Sequence, residues 1–220
     1  MNTQAVFFDI DGTLVGSNGY HVEAWYRVFA ATGRPIDRHR IAEQIGKGTD
    51  NLVPTLFPNL SDAEVERLGT LHGQFFKADY LDRVRPLPGA AELVRRVHDS
   101  GRQAVLASSA GAGERDHYLD LLGIHDAVST STTSDDVGRT KPAPDIFAVA
   151  AKKAGVDAAN VVVVGDAPYD MEAAAKCGMT RIAVRSGGFD DEMLTQAGAQ
   201  MIVDDVAELL ARFDATPLAG

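Results

Sequence analysis

The sequence predicts an α/β protein built on a doubly wound parallel sheet, with a helical segment inserted near the N-terminus. Short apolar runs rich in Val, Ile and Phe do not alternate with polar residues, which is typical of parallel strands buried on both faces. Segments of helical periodicity separate the runs, as in a chain that alternates strands and helices. The predicted strands are residues 5–8, 104–107, 161–164 and 181–184, with residues 127–130 as a weaker fifth candidate.

The inserted segment interrupts this alternation. The stretch HVEAWYRVFAATG has apolar residues at helical spacing and ends at Gly33. A second long helix is indicated after Ser61 or Asp62, either of which can cap its N-terminus. The stretch RPLPGA, with two prolines and a glycine, has the composition of a return linker. We therefore expect an α/β core of residues 1–15 and 86–220, and an all-helical cap domain of residues 16–85.

Composition limits the classes of partner. Apolar residues make up 45 % of the 220 residues, enough for a hydrophobic core. The net charge of −10 argues against nucleic acid and anionic membrane surfaces. The N-terminus lacks the features of a secretory signal, and no apolar run approaches the roughly 20 residues of a membrane helix. We expect a cytoplasmic monomer or homodimer that binds a small molecule.

Polar side chains follow three of the predicted strands. Asp9 and Ser108 come directly after their apolar runs, and Asp166 follows one residue later. Because parallel strands end at one edge of the sheet, these side chains are expected at the edge where α/β proteins bind ligands. Asp11 and Asp170 bring the number of acids at this edge to four, an arrangement that is costly unless a cation lies among them.

Oxygen ligands without a neighbouring His or Cys favour Mg²⁺ over Zn²⁺, and Mg²⁺ commonly accompanies phosphoryl groups. Since the chain is acidic overall, a phosphate must be bound by local groups. Lys141 and the Ser108 hydroxyl are the predicted ligands, helped by backbone N–H groups of the loop SSAGAGERD.

Four ordered segments then resemble the motifs of a known family. DIDGT, LASS, KPAPDIF and VVVVGDAPYD are similar to motifs one to four of the haloacid dehalogenase-like (HAD) superfamily of phosphotransferases. The resemblance spans the chain and is strongest to helical-cap members such as β-phosphoglucomutase and phosphoglycolate or sugar-phosphate phosphatases. It implies strand order 5-4-1-2-3 and a cap inserted just after the first motif, where the helical segment begins.

The resemblance also implies catalytic roles. Asp9 would attack phosphorus to form an aspartyl-phosphate, and Asp11 would act first as general acid and then as general base. Mg²⁺ would be held by the Asp9 carboxylate, the Asp11 backbone carbonyl and Asp166, while Asp170 would orient these ligands.

The transferring phosphoryl oxygens would be bound by Ser108, the Ser109 N–H and Lys141. Positioning and charge neutralisation of this kind supply most of the catalysis in phosphoryl transfer. The same resemblance predicts a cis peptide bond between Lys141 and Pro142.

Branches of the family differ at the second acid. Dehalogenases and phosphonoacetaldehyde hydrolases lack it, so Asp11 argues against both.

His21 stands twelve residues after Asp9 and is followed by Ala24 and Trp25, as in β-phosphoglucomutases but also as in many sugar-phosphate phosphatases. The resemblance therefore predicts a Mg²⁺-dependent phosphatase of a small phosphorylated metabolite, such as a sugar phosphate or phosphoglycolate. A hexose-phosphate mutase stays open as an alternative, although Thr13 favours hydrolysis. A non-catalytic ligand-binding protein is a third interpretation, disfavoured by the retained charges.

Substrate preference is expected to reside in the cap, which would close over the metal site. The predicted substrate-facing residues are His21, Trp25, Lys47 and Thr49, with Asp50 beside them. The stretch GKGTDN fits either a specificity loop or a plain turn between helices. The remaining histidines, His72 among them, lie on predicted helices without metal-ligand spacing and suggest no chemistry.

Overall fold

The computed structural model describes residues 2–220 and contains a parallel sheet with helices on both faces. Its strands are β1 (Ala5–Phe8), β2 (Gln103–Ala107), β3 (Val128–Thr132), β4 (Val161–Gly165), β5 (Thr180–Val184) and β6 (Met201–Val203). They are hydrogen-bonded in the order β3-β2-β1-β4-β5-β6, and every neighbouring pair is parallel. The predicted fold class and the order 5-4-1-2-3 are confirmed.

The sheet has one strand more than the sequence predicted. β6 pairs with β5 at the edge and spans only three residues, too few to show a strand periodicity. The weaker fifth candidate, residues 127–130, corresponds to β3, which lies slightly further along the chain than expected. Its sequence VSTST is polar because β3 lies at the opposite edge of the sheet.

Two hydrophobic clusters sandwich the sheet. Val6 and Phe8 of β1 face one cluster, while Ala5 and Phe7 face the other, as the alternation of side chains along a strand requires. The helices of the α/β core that follow are α5 (Ala90–Asp99), α6 (Ala112–Leu122), α7 (Asp145–Ala154), α8 (Pro168–Lys176), α9 (Asp191–Gln196) and α10 (Val206–Ala211). Helices α5, α6 and α10 contribute to the first cluster, and α7 and α8 to the second.

Four helices precede these, between β1 and α5. They are α1 (Asn18–Ala31), α2 (Arg38–Ala42), α3 (Thr49–Leu56) and α4 (Asp62–Asp79). The two long helices match the prediction, and Ser61 caps α4 in a capping box with Glu64. The short α2 and α3 were not predicted. Side chains from this segment form a separate hydrophobic cluster around Trp25, Phe29 and Leu52. The domain boundaries themselves stay a prediction.

The chain enters and leaves this helical segment through two adjacent stretches of backbone. The Gly16 N–H donates to the Arg85 carbonyl (3.0 Å), and the Leu87 N–H donates to the Leu14 carbonyl (2.9 Å). The helical segment is therefore joined to the sheet directly beyond the end of β1. None of the helices in residues 2–220 combines the length and apolar character required to cross a membrane.

A glycine makes the turn that follows β1. Gly12 has φ +76°, and a Cβ there would lie 2.2 Å from Asp166 Oδ2. Two constraints therefore favour glycine at this position. The backbone is in the left-handed region, which residues with a side chain rarely adopt, and a Cβ would clash with the Asp166 carboxylate.

We expect Gly12→Ala to lower the free energy of unfolding by at least about 1 kcal/mol more than Gly101→Ala, because overpacking adds to the backbone strain. Gly101 is the matched control, since it has φ +81° and no atom lies within 4 Å of the point that a Cβ would occupy. Urea unfolding of both variants measures the difference. Equal losses of stability would show that the contact with Asp166 imposes no constraint.

Candidate active site

Three buried polar residues meet at the carboxyl edge of the sheet. Asp9 follows β1, Ser108 follows β2 and Asp166 follows β4. Backbone hydrogen bonds extend the strands to these residues, since Asp9 N–H donates to Val164 O (2.9 Å) and Ser108 N–H to Thr132 O (3.1 Å). The sheet therefore brings together the three residues that the sequence placed at this edge.

Asp9, Asp166 and Asp170 form a compact group of acids. Each contributes a carboxylate oxygen that lies within 4.8 Å of the others, and the three residues are 5 %, 2 % and 0 % exposed. Burial, reinforced by Asp170 and Asp11, raises the pKa of Asp9 to about 7 against the opposing effect of Lys141. Burial and the two neighbouring carboxylates raise the pKa of Asp166 well above its usual range.

This acid group fits a divalent cation. Its donors are all oxygens, as Mg²⁺ prefers, and the raised pKa values reflect buried negative charges that a cation would stabilise. The side chain of Asp11 is not part of this group.

Lys141 is the positive charge of the site. Its side chain is 1 % exposed, and Nζ lies 2.6 Å from Asp9 Oδ1 and 2.6 Å from Asp170 Oδ1. It also donates to the Ala107 carbonyl (3.1 Å). The contact with Asp170 is electrostatic, since that oxygen has no hydrogen bond of normal geometry. Although burial disfavours the charged form, Asp170 and Asp9 raise the pKa of Lys141. The Lys141–Pro142 peptide is cis, as predicted.

Asp166 is held by residues just beyond β1. Asn18 Nδ2 donates to Asp166 Oδ2 (2.8 Å), and Thr13 Oγ1 lies 3.4 Å from Asp166 Oδ1. A Cβ on Gly187 would lie 2.0 Å from the same Asp166 Oδ2. The carboxylate is thus fixed from two sides. Asn18, which begins α1, was not among the residues predicted for the site.

Asp11 faces away from the acid group, toward α1. Ser17 Oγ donates to Asp11 Oδ1 (2.5 Å), and His21 Nε2 lies 3.2 Å from the same oxygen. Burial acts to raise the pKa of Asp11, but His21 and Ser17 lower it overall. The buried Tyr118 hydroxyl makes no hydrogen bond of normal geometry, yet it lies close enough to influence the same carboxylate.

His21 is fixed by aromatic neighbours. Its ring stacks on Phe76 at 3.9 Å between centroids, and its Nδ1 lies 3.3 Å from His72 Nε2. Trp25 stacks on the His72 ring, with 4.3 Å between the ring centroids. Burial would lower the pKa of His21, but Asp11 raises it overall, whereas burial and His21 lower the pKa of His72 well below its usual range.

A cavity of about 210 Å³ lies above Asp9 and Asp11. The four predicted substrate-facing residues of the helical segment all line it: His21, Trp25, Lys47 and Thr49. Ser109 and Glu114 line it from the core side. The cavity therefore lies between the inserted helices and the carboxyl edge of the sheet, and one of its walls includes both aspartates of the first motif.

Comparisons with known proteins now bear on this geometry. The family model described as haloacid dehalogenase-like hydrolase matches residues 3–178. The chain belongs to the haloacid dehalogenase-like hydrolase family. The family inferred from the four motifs, and the prediction of a hydrolase, are thereby confirmed.

Individual relatives cover almost the whole chain. N-acetylmuramic acid 6-phosphate phosphatase of Pseudomonas aeruginosa is 28 % identical over 225 residues, covering 97 % of this chain and 96 % of the relative. Fructose-1-phosphate phosphatase YqaB of Escherichia coli is 29 % identical over 181 residues, covering 82 % and 95 %. A crystal structure of a hydrolase from Pseudomonas syringae is 32 % identical with a TM-score of 0.90, covering 97 % of this chain and 99 % of that one.

Two titratable residues that line the cavity of this HAD-family chain, His72 and Glu114, were not among the predicted site residues. His72 lies on α4 one turn before Phe76, and only the fold brings it against His21. Glu114 stands six residues after Ser108, in the first turn of α6. Its closeness to the second motif is a signal that could have identified it. Burial raises the pKa of Glu114, with His21 acting in the opposite direction.

The stretch GKGTDN connects the inserted helices to the third motif. Lys47 and Thr49 line the cavity, but Asp50 accepts a hydrogen bond from the Thr140 N–H (3.1 Å) and does not line it. Asn51 Nδ2 donates to Thr140 Oγ1 (3.1 Å) and to the carbonyl of Lys141 (3.3 Å). The start of α3 is thus bound to the backbone beside Lys141.

We expect Mg²⁺ to raise the thermal midpoint of the wild-type chain, because a cation bound to the folded acid group stabilises the folded state. Asp166→Asn should remove most of that increase by deleting one charged oxygen ligand. Differential scanning fluorimetry with and without Mg²⁺ measures the effect. The control is Asp99→Asn, at the exposed end of α5; equal Mg²⁺ responses in both variants would contradict a metal role for Asp166.

Proposed function

We propose that this chain is a Mg²⁺-dependent phosphatase that hydrolyses a small phosphorylated metabolite through an aspartyl-phosphate on Asp9. The observation that carries the proposal is the contact of 2.6 Å between Lys141 Nζ and Oδ1 of Asp9, which lines the cavity. It supports the proposal because the carboxylate that would attack phosphorus and the ammonium that would bind its oxygens are in direct contact. The relatives named as sugar-phosphate phosphatases support a sugar phosphate as the substrate class.

In this proposal the Asp9 carboxylate attacks phosphorus, and the phosphoryl oxygens are held by Lys141, Ser108 and the Ser109 N–H. Ser108 is suitably placed because its Oγ already accepts from the Ala110 N–H (3.0 Å), which fixes the hydroxyl at the end of β2. Burial excludes water from these contacts and strengthens each of them.

Mg²⁺ would be held by the Asp9 and Asp166 carboxylates and the Asp11 backbone carbonyl, with Asp170 orienting the site. When bound, the ion supplies positive charge that neutralises the buried acids and the phosphoryl oxygens. Asn18 and Thr13 keep the Asp166 carboxylate in position for this task.

Asp11 handles the proton. Its carboxylate borders the cavity and shares a contact of 3.2 Å with His21 Nε2. Because Asp11 raises the pKa of His21, this pair holds a proton beside the position where the leaving oxygen departs. Because the pKa of Asp11 is lowered, the proton starts on His21 and passes through Asp11 to the leaving oxygen; Asp11 later removes a proton from the water that hydrolyses the aspartyl-phosphate, which restores the pair.

The cavity favours hydrolysis over mutase activity. A mutase passes through a bisphosphorylated intermediate and must bind a second phosphate away from Asp9. Among the described residues that line the cavity, Lys47 is the single lysine or arginine, and its Nζ already donates to Gln44 Oε1 (2.6 Å). The opposite wall carries Glu114, whose charge opposes a second phosphate.

The proposal includes a division into a core of residues 1–15 and 86–220 and a helical cap of residues 16–85. Two observations support it: the separate hydrophobic cluster of the inserted helices and the paired chain crossings at Gly16 and Arg85. The cap would open at these crossings to admit a substrate and close to exclude bulk water.

Asp9→Asn should reduce phosphate release by about 10³-fold or more, because the amide replaces the attacking carboxylate. The measurement is inorganic phosphate released from a panel of phosphorylated metabolites in the presence of Mg²⁺, with Asp99→Asn as the control. Substantial activity of Asp9→Asn would refute the nucleophile assignment. Isomerisation of a sugar phosphate with little release of phosphate would instead identify a mutase.

A further inference from the structure

Glu114 is a charged cavity residue that the proposed chemistry does not use. It is the third residue of α6 and lines the cavity from the core side. Among residues 2–220, no ion pair or hydrogen bond engages its carboxylate. The side chain is partly buried, and burial raises its pKa.

The charged groups around Glu114 do not neutralise it. His21 and Lys77 act favourably on its charge, while Asp11 and Asp135 act unfavourably. Lys77 is exposed and lies outside ion-pair distance, and His21 is already in contact with Asp11. Lys47, across the cavity, donates to Gln44 and lies 4.5 Å from the centroid of the Tyr169 ring. Glu114 is therefore free to bind a ligand group.

The position of Glu114 relative to the reaction follows from Asp9 and Asp11. The phosphoryl group would lie against Asp9 and Lys141, and the leaving oxygen would lie toward Asp11. Glu114 lines the same cavity as Asp11 and His21, close enough to help raise the pKa of His21 and to have its own pKa raised by Asp11. It would contact the leaving group and not the phosphate.

We propose that Glu114 is a specificity-determining residue that selects phosphate monoesters whose leaving group presents hydroxyl or ammonium donors, and that it rejects leaving groups bearing a carboxylate. This inference rests on the proposed phosphatase function and narrows its substrate class to neutral or amino sugars and polyols, in contrast to the sugar acid named for the N-acetylmuramic acid 6-phosphate phosphatase.

Two physical effects act in the same direction. A desolvated carboxylate gains from each O–H or N–H donor that a ligand supplies, since a donor replaces the lost water. A ligand carboxylate in the same place would bring two buried like charges together, which is strongly unfavourable at an interface. Discrimination of this kind comes from unpaired polar groups in the site.

The test uses esters that differ mainly in terminal charge. The short series is phosphoethanolamine, 2-hydroxyethyl phosphate and phosphoglycolate; the long series is glucosamine 6-phosphate, glucose 6-phosphate and 6-phosphogluconate. The measured quantity is the kcat/KM of the wild-type chain for phosphate release with Mg²⁺, in whichever series it hydrolyses faster. Within that series, either the ammonium ester or the hydroxyl ester should have a kcat/KM at least about 10-fold higher than that of the carboxylate ester.

Three variants show whether Glu114 causes the preference. Glu114→Gln should reduce the ratio to within about 3-fold, since the amide keeps the shape and removes the charge. Glu114→Lys should reverse the ratio in favour of the carboxylate ester. Glu92→Gln is the matched control, because Glu92 is the third residue of α5, is exposed and does not line the cavity; it should leave the ratio unchanged.

Binding gives a readout that does not require turnover. Dissociation constants of the same esters for Asp9→Asn with Mg²⁺, by calorimetry, should follow the same order. The inference is overturned if the carboxylate esters bind or react as well as the others, if Glu114→Gln keeps the wild-type ratio, or if no ester in either series binds. Absence of phosphate release from every ester, with the binding order intact, would instead count against the proposed hydrolysis while supporting the role of Glu114.

Discussion

The buried ion pairs of Lys141 with Asp9 and Asp170 are the interaction on which the rest of the site depends. Three acids within 4.8 Å of one another could not stay buried without a positive charge among them. Lys141 supplies that charge at 2.6 Å from two of them. In the proposed function the same ammonium binds the oxygens of an incoming phosphoryl group, so one group would both stabilise the folded site and prepare it for its ligand.

The connection after β1 determines how the site is enclosed. Gly12 turns the chain at the point where Asp166 approaches, and α1 begins six residues later with Asn18 bound to that carboxylate. His21, one turn further along α1, reaches back to Asp11. A single short stretch therefore links the acid group to the wall of the cavity. On the other side of the helical segment, Asp50 and Asn51 form hydrogen bonds with Thr140, next to the third motif.

The features that could be predicted from the sequence are those that depend on residues close together along the chain. Asp9, Ser108 and Asp166 could be placed at one edge because buried parallel strands are visible as apolar runs, and the carboxyl ends of such strands coincide. β6, α2 and α3 escaped prediction because three to eight residues carry too little periodicity. His72 escaped because only the packing of α4 brings it to the cavity wall, which no spacing along the chain records, whereas the position of Glu114 six residues after Ser108 was a signal that went unused.

Transfer of the phosphoryl group through the Asp9 carboxylate can be tested by rapid acid quenching during turnover, followed by peptide mass spectrometry. We expect a peptide that carries one phosphoryl group on Asp9, present with Mg²⁺ and substrate and absent in Asp9→Asn. Phosphate release without any phosphorylated peptide, or with the phosphoryl group on another residue, would contradict it.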